Sequence, residues 1–195
     1  MIRVALLDDH PPVLAGLTSL LEHTPAIGVI AAAQDEVTLA RALGSCRPDL
    51  LIVDYDPARG DTLALCGRIK ARRHPARVLI YSAYASERLA IAARMVQADG
   101  MLDKAVDAGT LIEAIRQIAS GGSVFPDLSR DALADAASGL RDADLPVLMM
   151  RLDGEPIHAI ASTLRTDERE IAKRLDRLVA RVRPRIAAHE ALWSG

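Results

Sequence analysis

The sequence is poor in cysteine: Cys46 and Cys66 are the only two among 195 residues. They fall on separate predicted helices without metal-ligand spacing, which speaks against a disulfide scaffold or a structural zinc site and leaves two reduced thiols. No apolar run approaches the roughly 20 residues of a membrane-spanning helix, so no membrane partner is expected. Nor does a signal peptide show. The apolar run Ile2 to Leu7 is short and turns at once into Asp8-Asp9, which reads as a strand and makes a cytoplasmic location the expectation. Charge of one sign is missing too: the formal net charge is -2 at pH 7, and the stretch 140–195 is barely basic. Bulk electrostatics therefore point to neither nucleic acid nor membrane. No internal repeat is visible.

What is present is an apolar half of the chain, 50% of residues, enough for a sizeable core. Leu50-Leu51-Ile52-Val53-Asp54-Tyr55-Asp56 organises the rest. A short apolar run without helical period that ends in a carboxylate reads as a buried parallel strand. It would deliver Asp54 to its C-terminal edge, where open α/β sheets place their chemistry. Other strands end the same way: Ile2–Leu7 in Asp8-Asp9, Arg77–Tyr81 in Ser82, and Gly100–Asp103 in Lys104.

Between the strands, Pro11-Pro12 opens a helix to about Glu22, Asp35 caps one to about Ser45, and Asp61 starts one to about Arg73. Ser86 caps a helix to Gln97, and Asp107 or Thr110 starts another to about Ser120. With Ile27–Ala33 as a further strand, the alternation predicts a five-stranded doubly wound parallel sheet over residues 1–121. Residues 122–139 read as a linker with a weak Ala-rich helical pattern at 130–137. From 140 to 195 the pattern is all helical, a small second domain with helices from Asp142, Ile157 and Asp167, and a tail helix through Leu192-Trp193 after Pro184. Trp193 is a candidate anchor for a tail or dimer contact.

Two adjacent acids and a third across the mouth of a sheet suit a small hard cation such as Mg2+. A carboxylate beside such a cation can attack a phosphoryl group, whose oxygens Lys104 and Ser82 would then neutralise and hold. Taken singly, each acid would pass for a helix or turn cap; the argument rests on the set.

That set resembles the receiver domains of two-component response regulators, over about residues 1–121. The resemblance rests on Asp8-Asp9-His10, Asp54, Ser82 and Lys104. It implies that Asp54 is the phosphoacceptor for a histidine kinase's phosphohistidine. It further implies that Asp9, Asp54 and the Asp56 backbone carbonyl bind Mg2+, with Asp8 helping through water. Lys104 would pair with the acyl phosphate, and Ser82 would be the switch hydroxyl. Such a protein is a flavodoxin-like phosphoacceptor rather than an enzyme, with slow self-dephosphorylation at most. Two positions depart from the pattern: Met101 replaces the usual aromatic switch residue, and the loop Tyr55–Asp61 is one residue short. Asp54-Tyr55-Asp56 is also similar to the Asp-x-Asp of haloacid-dehalogenase-type phosphatases. In that family, however, the nucleophile strand comes first and an acidic pair follows the lysine.

The helical part resembles the LuxR-type helix-turn-helix domain that often follows a receiver. Here Arg165 stands for the usual turn glycine and Glu170-Ile171 for the usual Thr-Val. The resemblance implies a homodimer in at least one state and double-stranded DNA as partner, with Arg169, Lys173, Arg174 and Arg177 as the candidate contacts. Glu168, Glu170 and Asp176 put acid where phosphates would come. That leaves open an alternative in which the domain binds a protein partner instead.

Overall fold

The computed structural model describes residues 1–57, 61–71 and 76–183. The strands are β1 (Ile2–Leu7), β2 (Ile27–Ala33), β3 (Leu50–Asp54), β4 (Arg77–Ser82) and β5 (Gly100–Asp103), all parallel, in the order β2-β1-β3-β4-β5. Strands buried on both faces have no polar side to show, which is why β3 and β4 read as unbroken apolar runs. Five helices cover the sheet: α1 (Pro11–Glu22), α2 (Glu36–Ser45), α3 (Thr62–Lys70), α4 (Glu87–Met95) and α5 (Ala108–Ala119). Two apolar clusters result. One packs Leu14, Leu17, Leu111 and Ile115 against one side of the sheet, and the other packs Leu39, Leu63, Cys66 and Leu89 against the opposite side.

The helix starts follow from side-chain caps. Asp35, Asp61, Ser86 and Asp107 each accept a hydrogen bond from a backbone N–H three residues on, worth about 1 kcal/mol apiece. Gly100 marks a close approach: a Cβ there would stand 2.7 Å from Ile118 Cδ1 and 2.9 Å from the Val124 carbonyl oxygen.

The segment 122–139 is more than a tether. Val124 bridges the open edge of β5 at Gly100, its carbonyl accepting from Met101 N at 2.8 Å. The Ala-rich stretch forms α6 (Arg130–Ala137), capped by Ser129. Three further helices follow, α7 (Leu145–Leu152), α8 (Ile157–Thr163) and α9 (Glu168–Val182), arranged helix-turn-helix. Arg165 takes a left-handed backbone, φ 51°, at the α8–α9 turn. The expected tail helix, Trp193 and the tip of the loop after Asp54 lie outside the described residues.

The helical part docks on α4. Leu89, Ala90, Ala92 and Ala93 face the sheet, while Ile91 and Met95 belong to the apolar cluster of α6–α9, with Val147, Leu148, Ile160 and Ile171. Both Ile91 and Met95 are buried. Polar contacts frame the seam. The Glu87 carboxylate accepts from Ser129, Arg88 pairs with Asp135 and donates to the Val182 carbonyl, and Arg183 lies 3.6 Å from Asp61. Arg151 is buried at the joint, donating to the Met95 carbonyl at 2.8 Å and the Glu155 carbonyl at 3.0 Å. Met95 is the last residue of α4, so its carbonyl lies at that helix's electronegative pole, while Glu155 lies in the turn between α7 and α8. Burial pulls the guanidinium down to about 10, still fully charged at neutral pH.

Candidate phosphoacceptor site

Parallel register brings the polar strand ends together. Leu7 pairs with Val53, Asp54 with Tyr81, and Ser82 with Asp103, so Asp8, Asp54, Ser82 and Lys104 emerge along one edge. The Lys104 N–H donates to the Ser82 carbonyl at 3.0 Å, extending the ladder one residue and aiming the side chain inward.

There Lys104 Nζ bridges two carboxylates, at 2.6 Å from Asp8 Oδ2 and 2.9 Å from Asp54 Oδ1. Burial opposes its charge, but the hydrogen bonds and charges of Asp8 and Asp54 outweigh that and hold the ammonium above its ordinary pKa. Burial pushes the Asp54 carboxyl above the usual range. Asp8 and Asp9 add to the shift and Lys104 opposes it. The site thus concentrates negative charge that one lysine does not fully offset. Thr62 Oγ1 donates to the Asp54 carbonyl at 3.1 Å and ties the start of α3 to the strand end.

Asp8, Asp9, His10 and Asp54 form a group whose ligand atoms all lie within 4.8 Å of one another. The Asp56 carboxylate is not part of that group; the family resemblance assigns its backbone carbonyl instead. His10 is part of the sequence motif but carries no ligand role there; the structure places its ring within this group. The mainly oxygen donor set fits a hard dication such as Mg2+.

Ser82 is fully buried and its hydroxyl is engaged: Oγ donates to the Tyr55 carbonyl at 2.6 Å and accepts from Tyr84 N at 3.0 Å. Met101, at the position of the usual aromatic, is packed in the core at 3% exposure. Beside Tyr55 and Tyr84, Tyr81 also reaches this edge, its hydroxyl donating to the Lys104 carbonyl at 3.3 Å.

On α9 the four expected basic residues divide. Arg169 and Lys173 are exposed. Arg177 is exposed as well, 3.9 Å from Glu170. Arg174 donates to Glu170 Oε1 at 3.0 Å and to the Ala143 carbonyl at 3.2 Å, engaged with its i,i+4 neighbour and the turn before α7. Arg181, next in the four-spaced row, donates to the Ser138 carbonyl.

Comparison with known proteins agrees with this geometry. The family profile described as the response regulator receiver domain matches residues 4–116. The chain is 26% identical over 192 residues to the DNA-binding transcriptional activator DevR/DosR of Mycobacterium tuberculosis, covering 93% of this chain and 88% of that protein. It is 23% identical over 201 residues to the nitrate/nitrite response regulator NarL of Escherichia coli K12, covering 97% and 93%. Among solved structures, RcsB of Salmonella enterica serovar Typhimurium, bound to a promoter in the presence of a phosphomimetic, superposes with a TM-score of 0.61 at 21% identity, covering 93% and 91%.

Proposed function

The chain belongs to the response regulator receiver family, and from that premise we propose that it is the phosphoaccepting, transcription-controlling partner of a histidine kinase. A carboxylate oxygen of Asp54 attacks the phosphorus of a phosphohistidine. The new P–O bond forms as the P–N bond breaks, and the kinase's imidazole leaves with a proton from solvent. Asp9, Asp54 and the Asp56 carbonyl would hold Mg2+, with Asp8 reaching it through water; the bound ion would neutralise charge on the transferred group. Lys104, placed between Asp8 and Asp54, does the same from the other side and holds the phosphoryl oxygens in line. Ser82 reaches a phosphoryl oxygen only after leaving the Tyr55 carbonyl, and that exchange is the switch. The observation that carries this reading is the Lys104 ammonium bridging Asp8 and Asp54 at a strand edge inside the matched 4–116 region. Incubation with a small phosphodonor and mass spectrometry tests it. One phosphoryl group is expected on wild type and none on Asp54→Asn, and label persisting on the variant would refute the assignment.

The output is double-stranded DNA, read by a homodimer through α9, with Arg169, Lys173 and Arg177 as contacts. DevR/DosR is named a DNA-binding transcriptional activator and the RcsB structure holds a promoter, which support this reading. Selection from a random duplex library, with and without phosphodonor, should enrich a salt-sensitive motif. Alanine at Lys173 and Arg177 should flatten its salt slope. Arg174's commitment to Glu170 favours a second reading, a domain that recognises a protein. Absence of enrichment on demonstrably phosphorylated protein would select it. Among the described residues no helix is long and apolar enough to cross a membrane, and a cytoplasmic location completes the proposal.

A further inference from the structure

The candidate cation site contains a nitrogen as well as its carboxylates. His10 occupies the residue before α1, with φ -95° and ψ 105°, and its side chain makes no capping hydrogen bond. That position favours Ser, Thr, Asp or Asn, whose side-chain oxygens accept from free helix N–H groups. The imidazole forgoes that role and turns to the acids: Nδ1 lies 2.9 Å from Asp9 Oδ1 and 3.2 Å from Asp8 Oδ1. Ligand atoms about 2.1 Å from a shared octahedral ion stand about 3 Å apart at adjacent vertices and about 4.2 Å apart at opposite ones. The Asp9–His10 separation matches such an edge, and the donor atoms of Asp8, Asp9, His10 and Asp54 lie within 4.8 Å of one another, with Asp8 placed to reach the ion through water. Asp8 divides its oxygens, Oδ2 accepting from Lys104 and Oδ1 from the His10 backbone N–H, which fixes His10 beside the acid pair. The His10 side chain is half exposed, so the ring can adjust without disturbing the core.

We propose that His10 Nδ1 is a ligand of the cation site and shifts its choice from Mg2+ towards a borderline first-row dication such as Co2+ or Ni2+. This rests on the phosphoacceptor-site reading. Oxygen donors alone suit Mg2+, whereas an imidazole strengthens binding of ions further along the transition series and adds little for Mg2+. In that role Nδ1 presents its lone pair to the ion, which requires the ring proton on Nε2.

The test is calorimetric titration of Mg2+ and, separately, Co2+ into the full-length protein, its His10→Asn variant and its Asp9→Asn variant. The Co2+ absorption spectrum is recorded alongside. Asparagine is a strong helix cap, so His10→Asn keeps α1 intact, and a thermal melt verifies that. Expected is a loss of at least about tenfold in Co2+ affinity for His10→Asn, with Mg2+ affinity kept within about twofold and the Co2+ band shifted. Asp9→Asn should weaken both ions. Equal effects of His10→Asn on the two ions, or none on either, would overturn the inference and leave the imidazole only to orient the acids. Failure of both ions to bind wild type would instead overturn the cation-site reading, a different result.

Discussion

Replacing Ile91 by Asp should separate the two halves of the molecule while leaving each folded. Ile91 projects from α4 into the cluster of Val147, Leu148 and Ile160 and is fully buried there, but it takes no part in the receiver core. Losing its burial costs about 2 kcal/mol, and a carboxylate in that surrounding costs several kcal/mol more. Against this the seam keeps Met95, the Arg151 hydrogen bond to the Met95 carbonyl and the Glu87–Ser129 contact. The Arg88–Asp135 pair is largely exposed and is worth under about 1 kcal/mol. A penalty of at least about 4 kcal/mol shifts the docked-to-undocked ratio nearly a thousandfold. Leu89, Ala90, Ala92 and Ala93 continue to hold α4 on the sheet. A compact body of this length has a radius of gyration of about 16 Å. Small-angle scattering should give that value for wild type and one several ångströms larger for Ile91→Asp, with the circular dichroism spectrum unchanged. Proteolytic cutting should appear within 122–129, where Ser129 loses its Glu87 partner. An unchanged radius and a protected segment in a folded variant would refute the claim that Ile91 is part of the clasp.

Ser82→Ala would leave the Tyr55 carbonyl and the Tyr84 N–H without their shared partner, so urea denaturation should show a loss of about 1–3 kcal/mol. Asp54→Asn should melt above wild type at about pH 7. Burial raises the Asp54 carboxyl, so its contribution to stability is present below the ordinary carboxylate range and is lost as pH rises through the raised value. The gap should close by about pH 4, and a variant that melts lower at neutral pH would contradict this. Arg165→Gly relieves a left-handed backbone and should raise stability by about 0.5–1 kcal/mol in the same denaturation assay.

The sheet and its reactive edge were legible because a parallel strand buried on both faces has a distinctive sequence: an apolar run, then an abrupt polar residue. Asp8, Asp54, Ser82 and Lys104 all stand at such breaks, and the caps Asp35 and Ser86 were equally plain, while the start of α5 lay between Asp107 and Thr110 and the structure selects Asp107. The docking of the helical part was not legible. Leu89, Ile91 and Met95 are alike in sequence, yet the first faces the sheet and the other two face another core, and periodicity cannot assign a face to a partner. Arg151 gave no sign of being buried, because its two acceptors are backbone carbonyls, one of them 56 residues away. The fate of Arg174 was hidden for a related reason. Its i,i+4 acid was visible, but the Ala143 carbonyl that completes its cradle was not. The segment 122–139 reads as small and polar while its order comes from the β5 edge and from Glu87, both distant in the chain.

A helix that serves two cores limits how freely the parts can be exchanged. α4 has no side left over for water along most of its length, so a receiver cut off after residue 121 would carry a greasy scar at Ile91 and Met95. Such a fragment should stick to itself, and a chimera joining this helical domain to a foreign receiver should fail unless the outer face of α4 is transplanted with it. The portable unit is therefore the helical domain plus one helix that the chain reaches far earlier.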